Sequence, residues 1–240
     1  MIELLDYEFM RRALVAAVFT GLAAPAIGTF LVQRRLALLG DGIGHVALTG
    51  VAIGLIANIA PVLTAVIVAV IGAVVIELLR MYGRTSGDVA LAMLFYGGIS
   101  GGVLLTNLAG DSAATLNSYL FGSIATIDNG DLTLVAILAV LVIGLAVGLS
   151  PQLFAVCQDE EHAQVSGVPV RVYSILIAVL AAVTITVAMR TVGLLLVSAL
   201  MVVPVAAAQQ LTRSFRTTHL AAMAIGLFAA IGGVVSSYEI

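Results

Sequence analysis

The segment from Leu36 to Ala60 reads LALLGDGIGHVALTGVAIGLIANIA, and it is long and apolar enough to cross a membrane. Asp41 and His45 interrupt it four residues apart, so on a helix both side chains project from one face. Ionisable groups inside a membrane are costly and usually line a pathway or a bundle interior. Because carboxylate and imidazole are common ligands of first-row divalent metals, the pair predicts a cation path. The alternative is an Asp–His hydrogen bond that only fixes helix packing.

The composition of the whole chain is that of a membrane protein. Of its 240 residues, 62% are hydrophobic and only 10% are charged, and the mean hydropathy is +1.20. A soluble domain carries about 25% charged residues. The net charge of −3 is small, so nucleic acid is not expected as a partner. A single cysteine, Cys157, excludes an internal disulfide and a thiolate metal cage.

Apolar runs of about 20 residues predict transmembrane helices. The chain contains eight such runs, with a boundary expected at the Pro151 turn: 12–33, 38–59, 61–81, 88–108, 131–150, 171–189, 191–211 and 218–238. The stretch 110–131 is too polar and short to span, and we expect a short re-entrant or interfacial helix there. The predicted fold is all-α: a polytopic membrane helix bundle, with residues 1–240 forming one transmembrane domain.

The arginines predict the orientation, because positive charge favours the cytoplasmic ends of spans. An outside N-terminus leaves three arginines outside and places seven inside: Arg34, Arg35, Arg80, Arg84, Arg171, Arg213 and Arg216. The reverse orientation inverts that count. With Arg35 at the inner interface, His45 lies about 15 Å deeper along the helix, at about 1.5 Å per residue, near the middle of the membrane. The loop 151–170 is then cytoplasmic.

Two further groups of charged residues lie at the predicted inner end. Glu77 and Arg80 are three residues apart on one helix, which predicts a local ion pair. His219 opens the last span without a visible partner. In the 151–170 loop, Asp159–Val165 is compatible with a short helix whose acidic residues lie at its N-terminus and which Gly167 ends. Such a helix suits docking of a soluble partner, whereas a solvated turn is the alternative.

Several motifs of enzymes are absent from the sequence. It contains no GxxxxGK[ST], so any ATP hydrolysis belongs to another chain. It contains neither HExxH nor the paired aspartate motifs of intramembrane proteases. The chain is therefore not expected to be an enzyme.

Four stretches in order resemble the permease subunits of ABC importers for zinc and manganese, and the resemblance covers essentially the whole chain. They are LVQRRLALLGDGIGHVALTGVAIG, NSYLFGSIATI, DEEHAQVSG and TVGLLLVSALMVVPVAAAQQL. The YLFG stretch is typical of the zinc branch. Gly44 stands where the family often has Ser, and Thr49 where Pro is common. Family members usually continue past SSYEI into another apolar helix, so we expect the final helix to be missing here.

The resemblance implies a bacterial plasma (inner) membrane protein that works as a homodimer. Its partners would be two copies of an ABC ATPase subunit and an extracytoplasmic metal-binding protein. Asp41 and His45 would be transient ligands of zinc, with no permanently bound cofactor. Manganese or iron(II) import, or a stand-alone secondary metal transporter, is the alternative; an intramembrane hydrolase and a scaffold have less support. The residues expected to couple the permease to the ATPase are Asp159, Glu160, Glu161, Ala163 and Gly167.

Overall fold

A computed structural model describes residues 7–83, 87–108, 118–122 and 129–239. Those residues form helices and no strands. The ten helices with described bounds are α1 (Glu8–Gln33), α2 (Leu39–Ala57), α3 (Pro61–Met81), α4 (Gly87–Leu108), α5 (Asn129–Gly148), α6 (Ser150–Gln158), α7 (Glu160–Val165), α8 (Val170–Val192), α9 (Leu194–Leu211) and α10 (Phe215–Glu239). Residues 118–121 are helical as well.

Seven of these helices are long and apolar enough to span a membrane: α1, α2, α3, α4, α8, α9 and α10. The pair α5 and α6 makes an eighth span if counted as one, although the two helices meet at an angle of 67°. The eight predicted apolar segments are thus all helical. The predicted boundary at the Pro151 turn is present: α5 ends at Gly148, Leu149 forms a turn, and α6 begins at Ser150. Pro151 lies in the first turn of α6, where its missing N–H costs nothing, so a second helix follows the turn and extends to Gln158.

Helix α1 forms the centre of the bundle and packs against α5, α8, α9 and α10, while α2 packs against α3, α4 and α8. The core is built from large side chains with no exposure, including Ile27, Phe30, Ile43 and Ile185. A Cβ at Gly28 would lie only 1.9 Å from the carbonyl oxygen of Met201, so glycine permits the close crossing of α1 and α9.

One face of α3 has no partner among the residues that the structure describes. Leu63, Ile67 and Ile71 follow one another at four-residue spacing and are each at least half exposed. In a membrane-spanning helix, such an apolar stripe is the surface that contacts lipid.

A tight turn joins α1 to α2. Arg35 adopts a left-handed backbone with φ of 60°, and the N–H groups of Arg35 and Leu36 donate to the carbonyls of Val32 and Leu31 at 3.0 and 2.8 Å. This pattern of hydrogen bonds satisfies the carbonyls at the end of α1. It turns the chain directly into the helix that carries Asp41.

Most of the predicted re-entrant segment 110–131 lies outside the described residues. Its described part packs on the break between α8 and α9. Gly122 and Gly193 both have left-handed φ values, 78° and 86°. A Cβ on Gly193 would lie 2.3 Å from the carbonyl carbon of Phe121, and one on Gly122 would lie 2.6 Å from the nitrogen of Gly193. The two backbones therefore meet with no room for a side chain on either glycine.

Candidate functional site

Asp41 and His45 lie on one face of α2, as their spacing predicts. The Oδ1 atom of Asp41 and the Nε2 atom of His45 are 4.0 Å apart, and their side chains are 32% and 12% exposed. This distance is too long for a hydrogen bond. The carboxylate oxygen of Asp41 and the imidazole nitrogen of His45 are therefore not hydrogen-bonded to each other and stay available as metal ligands. This argues against a pair that only fixes helix packing.

Ser198 of α9 is a third polar group at this site. Its Oγ lies 3.4 Å from Oδ1 of Asp41 and 3.4 Å from the carbonyl oxygen of Leu194, so its single hydroxyl proton is shared between these two acceptors. The sequence does not single out Ser198, because this residue is remote from Asp41 along the chain. The available signal is that Ser198 is the one hydroxyl residue in the apolar segment Leu194–Leu211.

Helix α4 supports the site from the other side. The ring of Phe95 meets the imidazole of His45 edge-on, with centroids 4.7 Å apart and planes at 80°. A Cβ at Gly98 would lie 2.7 Å from the carbonyl carbon of His45, and Thr49 donates to the carbonyl of Gly98 at 2.9 Å. The contact between backbones fixes where the imidazole points. The adjacent Gly97 is exposed, and an added Cβ there would have nothing within 4 Å.

Gly44, the departure from the family pattern, also lies in a tight contact. A Cβ there would lie 1.8 Å from Cδ1 of Leu194. A serine at this position would therefore require Leu194 to move. Glycine lets α9 approach α2 beside Asp41 and His45.

The site is incomplete within one chain. Among the described residues, no group of three or more His, Cys, Asp or Glu side chains could hold a metal ion. A carboxylate, an imidazole and a hydroxyl that bonds the carboxylate form an open set. Such a set suits a group that binds an ion and releases it, provided that further ligands come from elsewhere.

The acidic segment after α6 forms the short helix that the sequence predicts. The side chain of Asp159 accepts the N–H of His162 at 2.9 Å and caps α7. Ala163 is buried, whereas Glu161, Gln164 and Val165 are exposed, Val165 by 88%. Gly167 follows with φ of 81°. Coupling to an ATPase through Asp159, Glu160, Glu161, Ala163 and Gly167 stays a prediction.

The predicted ion pair of Glu77 and Arg80 is present, but it belongs to a larger cluster. The guanidinium of Arg34 also contacts Glu77, with Nη1 3.3 Å from Oε1, and both Arg34 and Arg80 bind the carboxylate of Glu160. Partial burial of Glu160 alone would raise its pKa, but the hydrogen bonds and charges of Arg34 and Arg80 lower the pKa below its ordinary value.

His219 is buried and does not lie on the surface. Its ring packs against Phe30 and Phe215, with centroids 5.4 and 5.9 Å away. Neither ring nitrogen has a hydrogen-bond partner among the described residues. The structure does not bring His219 to Asp41 and His45.

The chain resembles known transport proteins over nearly its full length. Residues 6–240 match the ABC 3 transport family. A probable metal transport system membrane protein of Treponema pallidum is 35% identical over 98% of this chain and 88% of that protein. The manganese import system permease protein ScaB of Streptococcus gordonii is 30% identical over 98% of this chain and 84% of ScaB. The high-affinity zinc uptake system membrane protein ZnuB of Haemophilus influenzae is 28% identical over 96% of this chain and 88% of ZnuB.

A solved structure, PsaBC from Streptococcus pneumoniae in complex with Fab, has the same fold. It matches with a TM-score of 0.86 and 27% identity over 99% of this chain and 87% of the chain compared. The sequence match to permease subunits and the helix bundle lead to one conclusion. The chain belongs to the ABC 3 transport family and is a multi-pass membrane permease subunit, not an enzyme.

Proposed function

We propose that this chain is the permease subunit of an ATP-driven importer of divalent metal ions, and that its cargo is zinc. The observation that carries the proposal is the pair Asp41 and His45, held on one face of a membrane helix without a hydrogen bond between them. The relatives support the metal class: one is a zinc uptake protein and another a manganese import protein.

A second copy of the chain supplies the missing ligands. Two copies related by a twofold axis would bring two carboxylates and two imidazoles to one path, a set of four oxygen and nitrogen donors. Zinc accepts four such ligands in a tetrahedral arrangement. The partial exposure of Asp41 leaves room for this approach. Binding stays weak enough for release, which conduction requires.

The choice of zinc over manganese rests on the donor set. Imidazole nitrogen suits zinc, whereas manganese prefers sites dominated by carboxylate, carbonyl and water oxygen. The YLFG stretch, typical of the zinc branch, supports the same choice. Manganese and iron(II) are the competing ions in any test.

The partners are two copies of an ABC ATPase subunit inside and a soluble metal-binding protein outside the bacterial inner membrane. We place the N-terminus outside. Arg34, Arg80 and Glu160 meet at one end of the bundle, and the excess of arginine marks that end as cytoplasmic. The exposed side chains of α7 then face the ATPase, with Val165 as the apolar contact.

The test is uptake of radioactive zinc by proteoliposomes that contain the permease, the ATPase and the binding protein. Asp41→Ala and His45→Ala should each abolish uptake while the complex still assembles. Glu8→Ala, which removes an exposed carboxylate at the other end of α1, serves as the control and should transport normally. Normal zinc uptake by both Asp41→Ala and His45→Ala would show that the two residues do not form the metal path.

The same preparation tests the alternatives. Cold manganese and iron(II) should compete less well than cold zinc at equal concentration; stronger competition by manganese would reassign the cargo. Zinc uptake by the permease alone, without ATPase, would instead identify a secondary transporter.

A further inference from the structure

Four charged side chains form one cluster at the proposed cytoplasmic end, which we call the arginine–glutamate cluster: Arg34, Glu77, Arg80 and Glu160. Arg34 directly follows α1, Glu77 and Arg80 lie in the last two turns of α3, and Glu160 is the first residue of α7. The cluster thus joins three helices that are far apart in sequence.

Glu77 is the centre of the cluster. Arg80 binds it in a bidentate manner, with Nη2 2.8 Å from Oε1 and Nε 3.1 Å from Oε2. Arg34 donates to the same Oε1 at 3.3 Å. The side chains of Arg34 and Glu77 are each only 3% exposed. Because the planar fork of arginine matches a carboxylate in one geometry, the ends of α1 and α3 are held in a defined arrangement.

Glu160 connects α7 to Arg34 and Arg80. Its Oε1 accepts hydrogen bonds from Nη2 of Arg34 and, at 3.1 Å, from Nη2 of Arg80. Nη2 of Arg34 also donates to Ser174 of α8 at 3.1 Å. The Arg34 guanidinium therefore touches α3, α7 and α8 at once, although the Glu160 side chain is itself 47% exposed.

The position of α7 depends on these contacts. A helix of about six residues is far too short to be stable alone. Ala163 is its buried residue, while Glu161, Gln164 and Val165 face away from the bundle. The two sides of α7 therefore have different roles: the outward side is free for a partner, and Glu160 holds the inward side to Arg34 and Arg80.

Only a short turn separates Arg34 from the helix that carries the proposed metal ligands. Arg35 turns the backbone, α2 begins at Leu39, and Asp41 lies in its first turn. A displacement of α7 that pulls on Arg34 therefore acts on the start of the helix that carries Asp41 and His45.

We propose that Glu160 is a positioning residue that transmits movement of α7 to α1, α3 and the metal path through Arg34 and Arg80. This inference rests on the proposed docking of an ATPase on the outward side of α7. It assigns to Glu160 the link within the permease, and to Glu161 and Val165 the contact with the partner. The two parts can be separated by experiment.

The experiment uses the complete complex in proteoliposomes and measures three quantities: ATPase subunit retained on purification, ATP hydrolysed and zinc transported. Glu160→Gln should retain the ATPase as wild type does, yet lower zinc transported per ATP by about tenfold, the scale expected for loss of charge-assisted hydrogen bonds. Glu160→Asp, which keeps the charge, should recover part of that ratio. Arg171→Gln, which removes another exposed charge at this end, is the control and should match wild type.

Two further variants separate the link from the docking surface. Val165→Arg should lose the ATPase on purification, and retention would overturn both Val165 as a contact with the ATPase and the docking on which the inference rests. The double variant Arg80→Met with Glu160→Gln should transport as much zinc per ATP as the more affected of the two single variants. The reason is that each substitution breaks the same contact between α3 and α7. The inference is overturned if Glu160→Gln leaves zinc per ATP unchanged, loses the ATPase in parallel with transport, or fails to assemble.

Discussion

The hydroxyl of Ser198 donates to the carboxylate of Asp41 at 3.4 Å across the interface of α9 and α2. This contact places a neutral donor on the atom that also faces His45. A carboxylate that keeps one hydrogen-bond partner is oriented but not neutralised, so it can still bind a cation.

The first prediction concerns this hydroxyl. Ser198→Ala should raise the zinc concentration for half-maximal uptake by about two- to fivefold, because this long hydrogen bond, shared with the carbonyl of Leu194, contributes at most about 1 kcal/mol. The measurement is zinc uptake against concentration in proteoliposomes. Ser198→Thr keeps a hydroxyl and serves as the comparison. Equal half-maximal concentrations for wild type and Ser198→Ala would show that the bond does not orient Asp41.

Adjacent glycines in α4 provide a matched pair of variants. Gly98→Ala places a methyl group against the backbone of His45 and Val46, and overpacking of this kind costs about 1–3 kcal/mol. Gly97→Ala meets nothing within 4 Å. We expect Gly98→Ala to lower the melting temperature of the purified complex and its zinc uptake, and Gly97→Ala to change neither. Equal effects of both would contradict the close contact of α2 and α4.

Glu77 should be the most sensitive residue of the arginine–glutamate cluster. Glu77→Gln removes the buried carboxylate that Arg34 and Arg80 share and leaves Arg34 paired only with the half-exposed Glu160. Loss of one partner from a buried pair costs about 3–5 kcal/mol, and the remaining pair with Glu160 puts the cost at the lower end. The expected result is a large fall in melting temperature and in yield from the membrane. Replacing both Arg34 and Glu77 by Met should be less damaging than Glu77→Gln alone. If the double variant has a lower melting temperature than Glu77→Gln, the loss of stability does not come from a buried charge left without its partner.

The attachment of α7 should depend on pH in the acid range. Since the pKa of Glu160 is lowered in the folded chain, its contribution to stability is complete above the unfolded value of about 4.3 and is lost as pH falls through the folded pKa. Hydrogen exchange of residues 159–167 should therefore stay slow from pH 8 to about 5 and become faster, after correction for intrinsic rates, only in stronger acid. Glu160→Gln should exchange faster throughout and lack that step. A wild-type transition near neutral pH would contradict the assignment.

The sequence was sufficient for features that depend on local spacing. Runs of apolar residues predict every long helix, and the four-residue spacing of Asp41 and His45 predicts their common face. The same spacing rule finds Glu77 with Arg80 but not with Arg34 or Glu160, because those contacts depend on how the helices pack. Ser198 was missed for that reason.

Pro151 shows what a boundary signal leaves open. Proline predicts the end of the fifth span, and α5 does end just before it, at Gly148. The further helix α6 that begins there is not predicted, although proline in the first turn of a helix has no N–H to lose. Hydropathy predicts where helices lie and not the angle at which they meet.

The contact of Gly122 with Gly193 has a consequence for comparing sequences across the family. Residues in contact usually covary among related sequences, because a larger side chain at one position is balanced by a smaller one at the other. Here neither position has space for a Cβ, and both need a left-handed backbone. Neither glycine can therefore be replaced by a larger residue that a change at the other would balance. This contact between the YLFG stretch and the α8–α9 break should leave no covariation signal.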